Sequence, residues 1–100
     1  MTPEEINREI AEWCGWTIKH TTGGVKLLKW HDPEGKIRAL PDYYHDLNAI
    51  HEAEKHGGPK VIKAMRFHLY DICSQMTAHH ATAPQRCEAL LRTIGKWKED

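Results

Sequence analysis

The hydrophobic period changes twice along this chain, and those changes constrain its fold more than any other feature. Ile6, Ile10 and Trp13 recur at spacings of four and three, the stripe of an amphipathic helix. From Trp16 the pattern becomes an alternation, Trp16-Thr17-Ile18-Lys19-His20, which suits a half-buried strand. Beyond Leu40 the helical spacing returns. It runs through Leu47, Ile50 and either Ala53 or Glu54, then Ile62, Met65, Leu69, Cys73 and Met76, and last Cys87, Leu90, Leu91 and Ile94. A helix, a block of short strands and a run of helices together define an α+β fold, expected as one domain over residues 1–100.

Turn and cap residues place the boundaries. Thr2-Pro3-Glu4-Glu5 opens the first helix: Thr2 can cap, Pro3 suits the first helical position, and Glu5 can close a capping box. Gly15 ends that helix. Thr21-Thr22-Gly23-Gly24 is a turn before a second strand, Val25 to Trp30, and Asp32-Pro33-Glu34-Gly35 is a turn before a third, Lys36 to Leu40. Three strands joined by tight loops read as an antiparallel meander whose apolar face helices must cover. Asp42 is the expected cap of the next helix, with Tyr44 to Asp46 as alternative starts, and Gly57-Gly58-Pro59 breaks it. A further helix is expected from about Pro59 to Cys73, although Phe67-His68-Leu69-Tyr70 also alternates as a strand would. Residues 75–81 suit a short edge strand or a loop. Thr82-Ala83-Pro84-Gln85 repeats the opening signal, Gly95 ends the last helix, and Trp97 is placed to fold back onto the core.

Charge and composition exclude several function classes. The 14 basic and 14 acidic side chains cancel, whereas a duplex-DNA binder needs a surplus of cations to displace counterions. The longest apolar run, Ala89-Leu90-Leu91, falls far short of the roughly 20 residues that span a bilayer, so neither membrane insertion nor secretion is expected. The three cysteines, Cys14, Cys73 and Cys87, form no paired motif and suit reduced thiols in a cytoplasmic protein.

The eight histidines are the first place to look for chemistry. His79-His80 with Cys87, His51 with His56, and His20 with His31 across the first hairpin all lack the spaced ligand pairs of a zinc site, so no metal is expected. His45, Asn48 and Glu52, with His51 and Lys55 beside them, share a helical face that could serve acid–base chemistry but equally describes a solvated surface. Ser74 lacks a nucleophile turn, so no catalytic residues and no cofactor are expected. Lys26, Lys29, Trp30, Lys36 and Arg38 interleave bases with an aromatic, a pattern that stacks single-stranded bases or a nucleotide; the plainer reading makes Trp13, Trp16 and Trp30 core anchors. The strongest binding candidate is the loop-to-helix junction Asp42, Tyr43, Tyr44 and His45, continued along the helix by Asn48 and Glu52. One tyrosine is expected to pack against the sheet, leaving the other free for a partner.

Five blocks resemble a known group. They are Met1 to Asn7, Glu12 to Trp16, Leu40 to Tyr43, Asp46 to Glu54 and, most specific, Ala81 to Trp97. Together they are similar to the phage ABA sandwich domain group, small bacteriophage and prophage proteins; Gly57 to His80 carries little of the pattern. The resemblance implies an α-β-α sandwich, a three- to four-stranded antiparallel sheet between helices. It also implies action in the cytoplasm of a bacterial host, and it brings no catalytic residues. The leading expectation is therefore a non-catalytic accessory protein that binds a host protein or defence complex, inhibition of bacterial immunity being one form of that role. Near-zero net charge makes a homodimer a further expectation. A nucleotide-sequestering protein and a metal-dependent enzyme built on the histidines are the alternatives.

Overall fold

The computed structural model describes residues 1–20, 28–73 and 81–99. Three helices and a two-stranded antiparallel sheet follow in the order α1 (Pro3–Trp13), β1 (Thr17–His20), β2 (Leu28–His31), α2 (Leu47–Ile72) and α3 (Ala83–Thr93). The α+β class stands, with fewer strands than expected among the described residues.

Local chemistry explains the boundaries. The Thr2 hydroxyl accepts from the Glu5 backbone N–H at 3.2 Å, and Thr82 with Gln85 forms a reciprocal capping box at the start of α3. Gly15 and Gly95 take positive φ, 99° and 75°, just past the ends of α1 and α3. Asp46 rather than Asp42 caps α2, accepting from Asn48 N at 2.9 Å and Ala49 N at 3.3 Å. The expected break falls at Gly58, whose backbone is non-helical (φ 75°, ψ −173°) and divides α2 into two helical halves; the second continues to Ile72, so 67–70 is not a strand.

The third strand reduces to one bridge, His31 opposite Ile37. Two competitors remove its ladder. Buried Asp32 accepts from Lys36 N at 2.8 Å and from Glu34 N at 3.0 Å, holding the turn, and Pro41 has no N–H to extend the pairing. Arg38 N still donates to Trp30 O at 3.1 Å. The fourth strand expected at 75–81 falls mostly on 74–80, outside the described residues.

The core is helical. Ile6, Ile10 and Ala11 of α1, Ile50, Ala53, Met65 and Leu69 of α2, and Cys87, Leu90 and Leu91 of α3 are buried together with Tyr43. No strand residue belongs to that buried set among the described residues; Trp16 and Leu40 only pack against its edge. The layers therefore differ from the expected sandwich, because α2 and α3 pack chiefly on each other rather than on opposite faces of a sheet. A two-stranded sheet offers too little apolar area to be a central layer. Trp97 does fold back, its N–H donating to Leu91 O at 3.2 Å. No described helix is long and apolar enough to cross a membrane.

Candidate functional site

The junction between the hairpin and α2 is organised by Asn7 of α1. Its Nδ2 donates to Asp42 Oδ1 at 3.1 Å, and its Oδ1 accepts from Tyr44 N at 2.9 Å, so one amide fixes both sides of the turn. The His45 ring nitrogen Nδ1 lies 2.9 Å from Asp42 Oδ2, and Tyr44 meets the His45 ring edge-on at 4.9 Å. The Asn7 hydrogen bond, followed by the contacts with His45, holds the Asp42 carboxyl below the ordinary aspartate range.

The two tyrosines diverge. Tyr43 is buried, and it packs in the helical core rather than on the sheet. Its carbonyl accepts from Cys87 Sγ at 3.1 Å, and its hydroxyl hydrogen-bonds Cys14. Burial pushes the Tyr43 hydroxyl up, and it pushes the Cys14 and Cys87 thiols up to about 11 and about 12. Neither thiol is a thiolate nucleophile near neutral pH. Tyr44 is half-buried against the core edge, while Asp42, His45, Asn48 and Glu52 are exposed.

These six residues do not gather into one concavity. His45 precedes α2 and turns back to Asp42, so it does not share a helical face with Asn48 and Glu52, and Glu52 instead pairs with Lys55 at 3.0 Å. Tyr43 and Glu52 border one hollow together with Cys14, Pro41, Ala49, Ala53 and His56. Asp42 rims a different groove of about 380 Å³ between α1 and the hairpin. Ile18, Trp30, Leu40 and Pro41 give it apolar walls, and Glu4, Asn7, Arg8 and Asp42 give it a polar edge.

Strand register explains the groove. Ile18 sits opposite Trp30 and Lys19 opposite Lys29, so the apolar pair lies on one face of the hairpin and the lysines on the other. The base-and-aromatic face expected for nucleotide stacking is split in this way, and Lys36 and Arg38 approach Glu34 and Asp32 at 3.8 and 3.3 Å. His20 lies opposite Leu28 and His31 opposite Thr17, so those histidines stand at opposite ends of the hairpin. The described residues hold no cluster of three or more metal-ligating side chains, and His79-His80 fall outside them.

A second feature escaped the sequence. Glu54, only 3% exposed, takes a bidentate contact from the Arg86 guanidinium, with Nε at 2.9 Å from Oε2 and Nη2 on Oε1. His51 Nδ1 lies 3.6 Å from the same Glu54 Oε2. The pair ties α2 to α3 beside a cleft of about 390 Å³ bordered by Ile62, Met65, Arg66, Leu69 and Tyr70. Glu54 stood on the inner stripe of its helix as one of two choices, but nothing in the sequence singles out Arg86.

No protein-family model matches this chain, and no curated protein or solved structure matches it at a significant level.

Proposed function

We propose that this chain is a non-catalytic binding protein that docks a partner protein in the groove between α1 and the hairpin. The observation that carries this reading is the Ile18–Trp30 pair, an apolar strand face that the helical core does not bury. Ile18 keeps 46% of its surface exposed, and Trp30 is half-buried in the groove wall. An aromatic anchor in an apolar hollow with a fixed polar rim is the usual composition of a protein-binding hot spot. Asp42 and Asn7 are already locked to each other, so the rim needs little further ordering on binding. Of the six junction residues, Asp42 is the one that belongs to this rim.

The resemblance to the phage group supports the choice of partner: a protein or defence complex of a bacterial host, met in its cytoplasm. Acid–base or thiol chemistry has less support, because the thiols are raised and the carboxylates nearest histidines are engaged by Asn7 or Arg86. The test is affinity capture from a bacterial host lysate with the wild-type chain and with Trp30→Ala. A protein enriched by the first and lost with the second, at unchanged melting temperature, is the expected result. Equal recovery with both chains, or none over a control protein of equal size, sinks the proposal. A panel of nucleotides is expected to give no thermal shift, whereas a ligand at 100 times its Kd would add about 2.7 kcal/mol.

A further inference from the structure

The half of α2 beyond the Gly58 kink presents an unusual outer face. At 100° per residue, Arg66, Tyr70, Lys63, Phe67 and Lys60 fall within an arc of about 120°. All five are exposed. Phe67, the only phenylalanine of the chain, is 67% exposed, and Tyr70 is 41% exposed. Elsewhere on the helices Lys55, Arg86 and Arg92 are paired with Glu52, Glu54 and Glu88. Lys60, Lys63 and Arg66 have no carboxylate partner among the described residues. Two aromatic anchors set among unneutralised cations make a surface that an acidic, helical partner would complement.

The same chain carries that complement. Half-buried Glu5 and Glu9 and exposed Glu12 recur at four and three on the side of α1 away from Ile6 and Ile10, with exposed Arg8 beside them. Glu9 and Glu12 have no cationic partner among the described residues. From Glu5 to Glu12 the helix rises about 10.5 Å, the same span as Lys60 to Phe67.

We propose that these two faces are halves of one contact, in which the basic and aromatic side of α2 receives α1 of a second copy of this chain. Glu5, Glu9 and Glu12 face Lys60, Lys63 and Arg66, and Arg8 lies over the Phe67 and Tyr70 rings as a cation–π partner. The contact joins two different surfaces, so a two-fold axis makes it twice and closes a dimer, whereas other rotations extend it. A nucleic-acid strand fits less well. Three cations release few counterions, and the chain as a whole carries no net charge. The contact shares Arg8 with the edge of the groove beside the hairpin but is argued from the separate α2 stripe.

Sedimentation velocity on the full chain, from micromolar to near-millimolar concentration, tests it at about 0.01 M and about 0.15 M salt, where Debye lengths are about 30 and about 8 Å. Self-association is expected, weakening about tenfold at the higher salt. Lys63→Glu and Glu9→Lys should each weaken it by about tenfold or more, and an equimolar mixture of the two variants should regain it. Phe67→Ser should weaken it as well. Circular dichroism melting checks that these variants stay folded, as their side chains lie outside the buried core. A wild-type chain that remains monomeric at the lowest salt overturns the proposal, leaving the stripe to a foreign acidic partner. Association that survives both charge reversals, or that the mixture fails to restore, overturns it too.

Discussion

Glu54 and Arg86 are the residues whose removal should be felt most. Deleting one partner of a buried, bidentate ion pair leaves the other charge unsatisfied, so Glu54→Ala should cost about 3–5 kcal/mol in urea unfolding. Replacing both together by Met and Leu should cost much less, because the unpaired charge is never created. The two raised thiols lead to a chemical expectation. Cys87 should resist alkylation at pH 8 in the folded chain and react once urea unfolds it, as mass spectrometry would show. Asp42 supplies the pH dependence. Its lowered value means that the carboxylate favours the folded chain at neutral pH, and that contribution is lost as pH falls through the lowered value. Asn7→Ala should return the Asp42 titration toward that of an ordinary aspartate in a carbon-detected NMR experiment, since the Asn7 amide is the largest cause of the shift. At this scale the sequence was only partly legible. The burial of Tyr43 over Tyr44 depends on where α1 and α3 sit, and an arginine on an amphipathic helix looks the same whether it meets water or a buried glutamate.

Elements were easier to read where a cap or a turn announces them. Thr2 and Thr82 cap as their motifs suggest, and Thr82→Ala should lower stability by about 1 kcal/mol through loss of the capping box. The stop signal at Gly57-Gly58-Pro59 is legible in the same way, because Gly58 leaves helical geometry and Pro59 opens the second helical half. Gly57 itself is held by its neighbours. A Cβ there would lie 2.6 Å from Val61 Cβ and 2.8 Å from the Trp13 ring, which also meets the His56 ring at right angles, 5.0 Å away. Gly57→Ala should therefore destabilise by about 1–3 kcal/mol through overpacking, against the usual gain for Gly→Ala in a helix. Thermal melts of the single variant decide the sign. The third strand is less legible. Alternation along 36–40 shows only that the side chains could form a strand face, while the Asp32 carboxylate and Pro41 determine whether backbone groups remain to pair.

At the scale of the whole molecule, the shape is elongated. The radius of gyration is 14.7 Å, against about 13 Å for a compact chain of this length, and the longest dimension is 54 Å against 29 and 21 Å. The two halves of α2, 26 residues in all and joined at Gly58, are the longest stretch of regular structure among the described residues. Periodicity revealed the α+β class but not the layering, because the same apolar stripes serve helices that pack on a sheet and helices that pack on one another. The distinction has a dynamic consequence. Amides of α1, α3 and the first half of α2 should exchange with solvent only on global unfolding, whereas those of β1 and β2 should exchange through a smaller opening that leaves the helices intact. Because none of the described side chains of β1 and β2 belongs to the buried core, those positions of the hairpin can change without endangering the fold. Selection acting on Ile18 and Trp30 is thus freed from selection for stability, which lets a recognition surface follow a changing target while its scaffold stays the same.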